Sequence, residues 1–252
     1  MSQPPLAIVT GGKRRLGAAI AARLAQAGYA LALVSHVDKE PEAPLTAALK
    51  EYDGDWRGFT VDLSDPANPQ KLIADVSSHF GRVPDLLVNN AAMFGQDSWT
   101  DMSAETLEAH FRLNLFTPVL LAQALVRAAG ENAQPTIINI LDQRIVNPHG
   151  DQLSYTLSKQ ALAASVRTLA ASFGNRARVN GVAPGLVIST DDYTAEQEER
   201  LAAMMPLGAL PGPSGVAEAV AYLAGAKDVT GQIIFLDGGA HLKSFDRDFM
   251  HL

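Results

Sequence analysis

Short apolar runs alternate with helical patterns along the whole chain, and this alternation constrains the fold more than any other feature. The runs lie at residues 6–9, 31–34, 58–61, 86–88, 136–141, 178–183 and 232–236. A repeated unit of strand, helix and strand predicts a doubly wound parallel α/β sheet of the Rossmann type. The chain has 252 residues, 47% of them hydrophobic, which is enough for one substantial core. We therefore expect residues 1–252 to form a single domain.

A glycine turn follows the first apolar run. Residues 6–9 end at Thr10-Gly11-Gly12, and an alanine-rich helical pattern then begins around Gly17 and ends near Gly28. A helix N-terminus offers free backbone N–H groups and the positive end of the helix dipole, and glycine lets the backbone approach a phosphate closely. Strand, turn and helix in this order predict a nucleotide site, whereas the glycines alone would indicate only a tight turn.

Composition limits the partners and the chemistry. The net charge of −7 argues against nucleic acid or an anionic membrane as the main partner. The chain has no cysteine, and its six histidines lack metal-binding spacing, so we expect neither disulfides nor a metal site. The first residues lack the apolar segment of a signal peptide, and no apolar run reaches membrane-spanning length. We expect a cytoplasmic protein that acts on a small molecule.

Asp142, Tyr155 and Lys159 are spaced so that one turn and one helix would bring their side chains together. Tyr155 and Lys159 lie four residues apart, on the same face of the predicted helix, and Asp142 follows the fifth apolar run. A nearby lysine charge favours the phenolate and lowers a tyrosine pKa that is ordinarily about 10, which suits a proton donor. Taken alone, the Tyr-x-x-x-Lys spacing is also typical of an ordinary exposed helix pair.

Four motifs together carry a family resemblance. They are Thr10-Gly11 through Gly17, Asn89-Asn90-Ala91-Ala92, the pair Tyr155 and Lys159, and Pro184-Gly185. With these motifs the chain resembles the short-chain dehydrogenase/reductase family over nearly its whole length. The cofactor-binding residues that this resemblance and the glycine turn predict are Gly11, Lys13, Arg14, Arg15, Leu16, Gly17, Ser35, His36, Asp62, Leu63, Asn90, Ala91, Lys159, Pro184, Gly185 and Leu186.

The resemblance also implies individual roles. Asp62 would hydrogen-bond the adenine, Asn90 would lie near the ribose, and Lys159 would hold the nicotinamide ribose while lowering the pKa of Tyr155. Asn114 matches an asparagine that completes a proton relay through water. Without the resemblance, a polar residue tolerated in a helix interior would be the simpler interpretation of Asn114.

Two departures from the common family pattern sharpen the functional prediction. The family usually has serine where Asp142 stands and glycine where Arg15 stands, and both departures match the pteridine reductase subgroup. A carboxyl group can transfer a proton and pair with an amidine-like heterocycle, which a serine cannot do. Phe94 would stack a flat pterin, with a loop residue capping the crevice as the alternative. Asp142 also has a simpler interpretation, as a turn residue after a strand.

Cofactor choice depends on the end of the second apolar run. An NAD enzyme normally has an acidic residue there to hold the ribose 2′-hydroxyl group, whereas this chain has the neutral Ser35. His36, with Lys13 and Arg14 of the glycine turn, could meet a 2′-phosphate, so the sequence favours NADPH. Two features argue against NADPH: Asp38 is close by, and no arginine directly follows Ser35.

The residues and the resemblance together predict an NADPH-dependent reductase of a dihydropterin, a biopterin or a folate-like compound. The predicted catalytic residues are Asp142, Tyr155, Lys159 and Asn114, and the substrate-binding residues are Phe94, Asp142, Tyr155 and Leu186. One alternative is a reductase of another carbonyl, such as a 3-oxoacyl thioester or a sugar. A second alternative is a non-catalytic protein that binds the cofactor.

Two further segments have predicted roles. Residues 186–210 form a loop and a short helix that we expect to be a mobile lid over the substrate. The C-terminal residues 245–252 carry Phe245, Phe249, Met250 and Leu252, and exposed apolar clusters usually mark a contact. We expect a homotetramer in which this tail packs on a symmetry mate, with a frayed terminus as the alternative.

Overall fold

The computed structural model describes residues 3–131, 133–189 and 193–252. Its single sheet has seven parallel strands in the order β3-β2-β1-β4-β5-β6-β7. The strands are β1 (Leu6–Thr10), β2 (Ala30–Ser35), β3 (Trp56–Thr60), β4 (Leu86–Asn89), β5 (Thr136–Ile140), β6 (Arg178–Pro184) and β7 (Ile233–Leu236). This topology confirms the predicted Rossmann-type fold.

Helices connect the strands and cover both faces of the sheet. They are α1 (Arg15–Gln26), α2 (Ala43–Glu51), α3 (Asn68–Phe80), α4 (Ala104–Phe111), α5 (Thr117–Ala128), α6 (Leu153–Phe173), α7 (Ala195–Met204) and α8 (Pro213–Gly225). A π-helical turn, Arg112–Phe116, joins α4 to α5, and short 3-10 turns include Gln143–Ile145 and Phe249–His251. The first helix ends as predicted, because Gly28 adopts a left-handed φ of +83° after its last turn.

The core lies on both faces of the sheet. Along β1, Leu6 and Ile8 point to the face covered by α3, α5 and α6, whereas Ala7 and Val9 point to the face covered by α1, α2 and α8. Alternate side chains of a strand point to opposite faces, so a strand buried on both faces must be apolar throughout. This is why the sequence shows continuous apolar runs.

The edge strand β3 begins earlier than its apolar run. The sequence predicts a strand at 58–61, whereas pairing with β2 extends from Trp56 to Thr60, with Leu31 opposite Trp56 and Ser35 opposite Thr60. An edge strand has one neighbour and is partly exposed, so its bounds follow backbone pairing more than hydrophobicity. No helix in the described ranges is long and apolar enough to cross a membrane.

Candidate active site

The glycine turn lies at the carboxyl ends of the strands, where β4 fixes its shape. The amide of Asn90 donates to the carbonyl oxygens of Thr10 and Gly11, at 2.9 and 3.3 Å. Gly11 has a φ of +62°, and a Cβ added to Gly17 would lie 2.0 Å from the Gly11 carbonyl oxygen. Any side chain at position 17 would therefore open the turn. The turn leads into α1, whose N-cap residue Arg14 makes no side-chain cap, and a helix N-terminus suits phosphate binding.

An elongated cavity of about 750 Å³ begins at this turn and follows the carboxyl ends of the strands. Most of the predicted cofactor-binding residues line it, namely Gly11, Arg14, Arg15, Leu16, Gly17, Ser35, His36, Asp62, Leu63, Asn90, Ala91, Gly185 and Leu186. Lys13, Lys159 and Pro184 are buried outside its lining. The close-approach glycines, the helix N-terminus and the volume of the cavity fit a dinucleotide.

Lys13 is buried beside β3 and does not line the first cavity. Its Nζ lies 3.5 Å from Oδ1 of Asp38, and the side chain is only 7% exposed. The ammonium packs over Gly58 of β3, where an added Cβ would lie 2.9 Å from Nζ. Lys13 therefore does not line the first cavity, because the missing side chain at Gly58 leaves room for the lysine there, and its contact with the cofactor stays a prediction.

Of the three basic residues that line the cavity, Arg14 lies in the glycine turn and His36 directly follows β2. Arg14 Nε lies 3.4 Å from Oε1 of Glu42, whose other oxygen accepts a hydrogen bond of 2.8 Å from the backbone N–H of Arg15. His36 Nδ1 lies 3.8 Å from Oδ1 of Asp62. Both basic side chains are largely exposed. Sequence reasoning missed Glu42, because nothing in its local pattern shows that the start of α2 reaches the glycine turn.

Asp62 is held in place by the residue that follows Leu63. The backbone and hydroxyl groups of Ser64 donate to Oδ1 of Asp62 at 2.9 and 2.6 Å. These hydrogen bonds lower the pKa of Asp62, so the carboxylate is an acceptor at neutral pH. Leu63 is buried, and its carbonyl oxygen accepts a hydrogen bond from the Thr117 hydroxyl group.

Asp142, Tyr155 and Lys159 meet as the spacing predicts. The Tyr155 hydroxyl group donates to Oδ2 of Asp142 at 2.9 Å, and Oδ1 of Asp142 accepts from the backbone N–H of Arg144 at 3.0 Å. Lys159, one turn further along α6, donates to the carbonyl oxygen of Ile140 at 2.8 Å. Its Nζ lies 5.8 Å from the centre of the Tyr155 ring. A carboxylate, a phenol and an ammonium group therefore share one site.

The electrostatics of this site differ from the sequence-based expectation. Burial raises the pKa of Tyr155 well above its ordinary value, and the Asp142 charge raises it further, whereas the Arg144 charge lowers it. Burial lowers the pKa of Lys159 to about 8, with Asp142 acting in the opposite direction. Burial and Asp142 therefore dominate the pKa of Tyr155, and the effect expected of Lys159 stays a prediction. The phenol is protonated at neutral pH and can donate its proton.

Arg144 is a site residue that the sequence did not reveal. The residue is 5% exposed, and its Nε lies 3.3 Å from Oδ1 of Asp142. The other two nitrogens donate to the side chain of Gln152 and, at 2.5 Å, to Oδ2 of Asp248. Cζ lies 5.2 Å from the centre of the Tyr155 ring. Its position two residues after Asp142 was the available signal, but burial and the Asp248 contact are not visible in the sequence.

Asn114 lies in the π-helical turn between α4 and α5. Its Oδ1 accepts from the backbone N–H of Met93 at 2.8 Å, and its Nδ2 donates to the Met93 carbonyl oxygen and to the Ser158 hydroxyl group, both at 2.9 Å. Such π turns are rare and often occur at functional sites. Asn114 therefore ties the loop after β4 to the helix that carries Tyr155, and its role in a proton relay stays a prediction.

A second cavity of about 380 Å³ adjoins the first and fits the predicted substrate position. Its lining includes Phe94, Asp142, Gln143, Arg144, Tyr193, Asp248, Phe249 and Met250, and it shares Arg15, Gly185, Leu186 and Ile188 with the first cavity. The half-exposed Phe94 ring meets the Tyr155 ring edge-on, with centres 4.9 Å apart. Arg15 has a φ of +52°, in the region that favours glycine, as the departure from the family pattern suggests.

The predicted lid and tail lie beside this second cavity. Helix α7 supplies the short helix of the lid, while residues 190–192 of the lid lie outside the described residues. In the tail, Phe249 is buried against Leu201 and Met205 of the same chain. The tail therefore packs on its own protomer in this structure, and its contact with a symmetry mate stays a prediction. Within the described residues, no cluster of three histidine or acidic side chains could hold a metal ion.

Comparison with known proteins identifies the family. A family model described as enoyl-(acyl carrier protein) reductase matches residues 11–241. A putative ketoacyl reductase 2 of the granaticin polyketide synthase from Streptomyces violaceoruber is 32% identical over 95% of this chain and 97% of its own length. The 3-oxoacyl-[acyl-carrier-protein] reductase FabG of Escherichia coli K12 is 31% identical over 94% of this chain and 97% of its own.

A solved structure adds a third relative. FolM alternative dihydrofolate reductase 1 from Brucella canis, complexed with NADP, is 33% identical, covers 95% of both chains and superposes with a TM-score of 0.83. The chain belongs to the short-chain dehydrogenase/reductase family. It is an oxidoreductase of that family, and its relatives differ in their substrates.

Proposed function

We propose that this protein is an NADPH-dependent reductase of a pterin, meaning a dihydropterin, a biopterin or a folate-like compound. One observation carries the proposal: the Asp142 carboxylate faces the second cavity and accepts a 2.9 Å hydrogen bond from Tyr155. A carboxylate can accept two hydrogen bonds from the N–C–N edge of a pterin ring, which a serine hydroxyl group cannot. Phe94 offers an aromatic face to the same flat ring. The similarity to FolM supports this choice of substrate.

The first cavity would hold NADPH. We assign the pyrophosphate to the glycine turn and the N-terminus of α1, and the adenine to Asp62. Arg14 and His36 are the basic side chains available to a 2′-phosphate, and the neutral Ser35 does not repel one. The NADP bound to the FolM relative supports the assignment. When bound, the cofactor supplies a hydride from its nicotinamide ring.

Asp142, which lines the second cavity, would orient the substrate, and Tyr155, hydrogen-bonded to Asp142, would supply the proton. Reduction of a ring C=N bond adds a hydride to carbon and a proton to nitrogen, and Tyr155 is the proton donor because its phenol stays protonated. Asp142 orients the ring and assists the transfer. The phenolate that remains lies beside the positive charges of Arg144 and Lys159. Lys159 would also hold the nicotinamide ribose, and Asn114 would complete the proton relay.

The second candidate substrate is a 3-oxoacyl thioester. The FabG and polyketide ketoacyl reductase relatives favour it, since they are as similar to this chain as FolM is. Reduction of a ketone needs only a proton donor such as Tyr155, so Asp142 would have no role in that reaction. A non-catalytic cofactor-binding protein is the third candidate, and the assembled contact between Tyr155 and Asp142 stands against it.

A screen of NADPH oxidation separates these candidates. We expect turnover with dihydrobiopterin or dihydrofolate and little or none with an acetoacetyl thioester. Tyr155→Phe is the matched control, because it removes the proton donor and keeps the ring. Turnover of the thioester alone would replace the pterin proposal with the second candidate. NADPH binding without turnover of any substrate would favour the non-catalytic protein.

We also propose that the protein is a homotetramer. An apolar groove of about 380 Å³ along α5 supports association, since exposed apolar surface usually marks a contact. Its lining includes Pro66, Leu115, Phe116, Val119 and Leu120. Light scattering of the purified protein measures the assembly, and a monomeric mass would contradict this proposal.

A further inference from the structure

The C-terminal tail, residues 245–252, places a buried carboxylate in the active site of its own chain. Asp248 is 4% exposed, and its Oδ2 accepts a 2.5 Å hydrogen bond from Nη2 of Arg144. Its backbone N–H donates to Oδ2 of Asp151 at 2.9 Å, and its Oδ1 accepts from the backbone N–H of Met250 at 3.0 Å. Both oxygens and the backbone are therefore fixed by partners.

Apolar contacts hold this part of the tail in place. Phe249 is buried with Leu201 and Met205, and its ring meets Phe245 edge-on at 5.0 Å between centres. Gln197 of α7 donates to the carbonyl oxygens of Phe249 and Met250, at 3.3 and 3.2 Å. Apolar packing and the Gln197 hydrogen bonds therefore both hold the tail, and the position of Asp248 does not depend on the contact with Arg144 alone.

Arg144 connects Asp248 to the groups that handle the proton. Its guanidinium lies between Asp142 and Asp248, 3.3 and 2.5 Å from their carboxylates. A buried cation needs opposite charges, and here two carboxylates share one guanidinium. If Asp248 lost its charge, Asp142 would be the remaining carboxylate on Arg144 and would be drawn away from the Tyr155 hydroxyl group. Asp248 therefore acts on Tyr155 through two intermediate side chains.

We propose that Asp248 is a positioning residue for proton donation: it holds Arg144 so that the Asp142 carboxylate stays aligned with the Tyr155 hydroxyl group. The active site is then complete only when the tail of the same chain is docked. This inference rests on the proposed role of Tyr155 as proton donor and applies to pterin and thioester substrates alike.

The test compares Asp248→Asn with Asp246→Asn, which removes the same charge from an exposed position two residues earlier in the tail. We expect Asp248→Asn to lower kcat by about tenfold to a hundredfold, the cost of a small misalignment at a reacting group. Asp246→Asn should keep the parent kcat. Asp248→Glu keeps the charge and should recover part of the loss.

A pH profile separates positioning from mere structural support. Tyr155 faces the charges of Asp142, Arg144, Lys159 and Asp248, and the negative charge of Asp248 is one of those that raise its pKa. Asp248→Asn should therefore lower the pH at which the phenol ionises, a step of the alkaline loss of kcat that comes after the ionisation of Lys159 near pH 8. Loosening of the fold would also lower the pKa of Tyr155, because burial is the main cause that raises it. Asp248→Glu disturbs the same packing but keeps the charge, so it should keep the parent pH profile.

A spectroscopic titration makes the test independent of any substrate. The ultraviolet absorbance of phenolate is followed with pH in each variant, and the same titration in its Tyr155→Phe counterpart is subtracted. Asp248→Asn should move the Tyr155 signal to lower pH, while Asp246→Asn and Asp248→Glu should not. If Asp248→Asn titrates and turns over like Asp246→Asn, or if Asp248→Glu behaves like Asp248→Asn, the inference is overturned. A parent protein that titrates as expected but reduces no substrate would instead contradict the proposed function.

Discussion

The Tyr155 hydroxyl group donates a hydrogen bond of 2.9 Å to Oδ2 of Asp142, while Oδ1 of the same carboxylate caps the turn that follows β5. One oxygen therefore fixes the backbone and the other faces the proton donor. Asp142 lies just after β5, and Tyr155 lies in the first turn of α6. The contact therefore joins a strand end to a helix, and core packing fixes the distance between them. Changes at either residue should alter chemistry more than folding.

Replacement of Asp142 by serine should remove pterin reduction while leaving the fold intact. Serine is also a good cap, so the turn should survive, but it cannot carry the negative charge or accept a proton. We expect kcat with dihydropterin to fall by about 10² to 10⁴. NADPH binding, measured by fluorescence titration, should persist. Asp142→Asn is the companion variant that keeps the shape without the charge, and a parent-like rate in either would mean that the carboxylate has no part in the reaction.

Arg14, and not Lys13, should decide the preference for NADPH over NADH. Arg14 lines the first cavity, whereas Lys13 is paired with Asp38 and packed over Gly58. Arg14→Ala should weaken NADPH binding by about tenfold, the range of one charge-assisted hydrogen bond, and leave NADH binding nearly unchanged. Lys13→Ala is the matched control and should keep the preference. Titrations at low and high salt should show the Arg14 effect shrinking as salt rises.

The burial of Lys159 predicts a pH-dependent stability with a definite sign. Its pKa is about 8 in the folded protein, against an ordinary value of 10.5. Between these values the unfolded chain binds more protons than the folded one, so this group makes the free energy of unfolding rise with pH. The free energy of unfolding of the parent minus that of Lys159→Met, from urea unfolding, should be constant below about pH 8 and rise between pH 8 and 10.5. Lys50→Met, at an exposed position of α2, controls for the loss of a lysine, and parallel curves for parent and Lys159→Met would contradict the prediction.

Deletion of residues 245–252 should affect catalysis and not assembly. In the structure Phe249 packs against Leu201 and Met205 of its own chain, and Asp248 binds Arg144 of the same chain. We expect the truncated chain to raise KM or lower kcat by about tenfold or more, because the wall of the second cavity is lost. Light scattering beside the kinetics checks both quantities. A smaller assembly with parent-like kinetics would show that the tail serves a neighbouring subunit, as the sequence analysis expected.

The fold and the outline of the site were predictable because they depend on local patterns. Continuous apolar runs alternating with helical segments require a parallel sheet buried on both faces, and the glycine spacing before α1 requires a turn that only glycine fits, as Gly17 shows. The four-residue spacing of Tyr155 and Lys159 places both on one face of α6. These patterns involve residues close together in the chain, so they can be recognised without knowledge of the tertiary contacts.

Contacts between distant segments decided the rest. Lys13 lies outside the first cavity because Gly58 of another strand makes room for it. Arg144 and Asp248, 104 residues apart, meet because the tail docks beside α7, and no local pattern encodes that distance. The sequence determined which groups reach the carboxyl edge of the sheet. Only tertiary packing decided their protonation, because the burial and neighbouring charges that raise the pKa of Tyr155 exist only once the chain is folded.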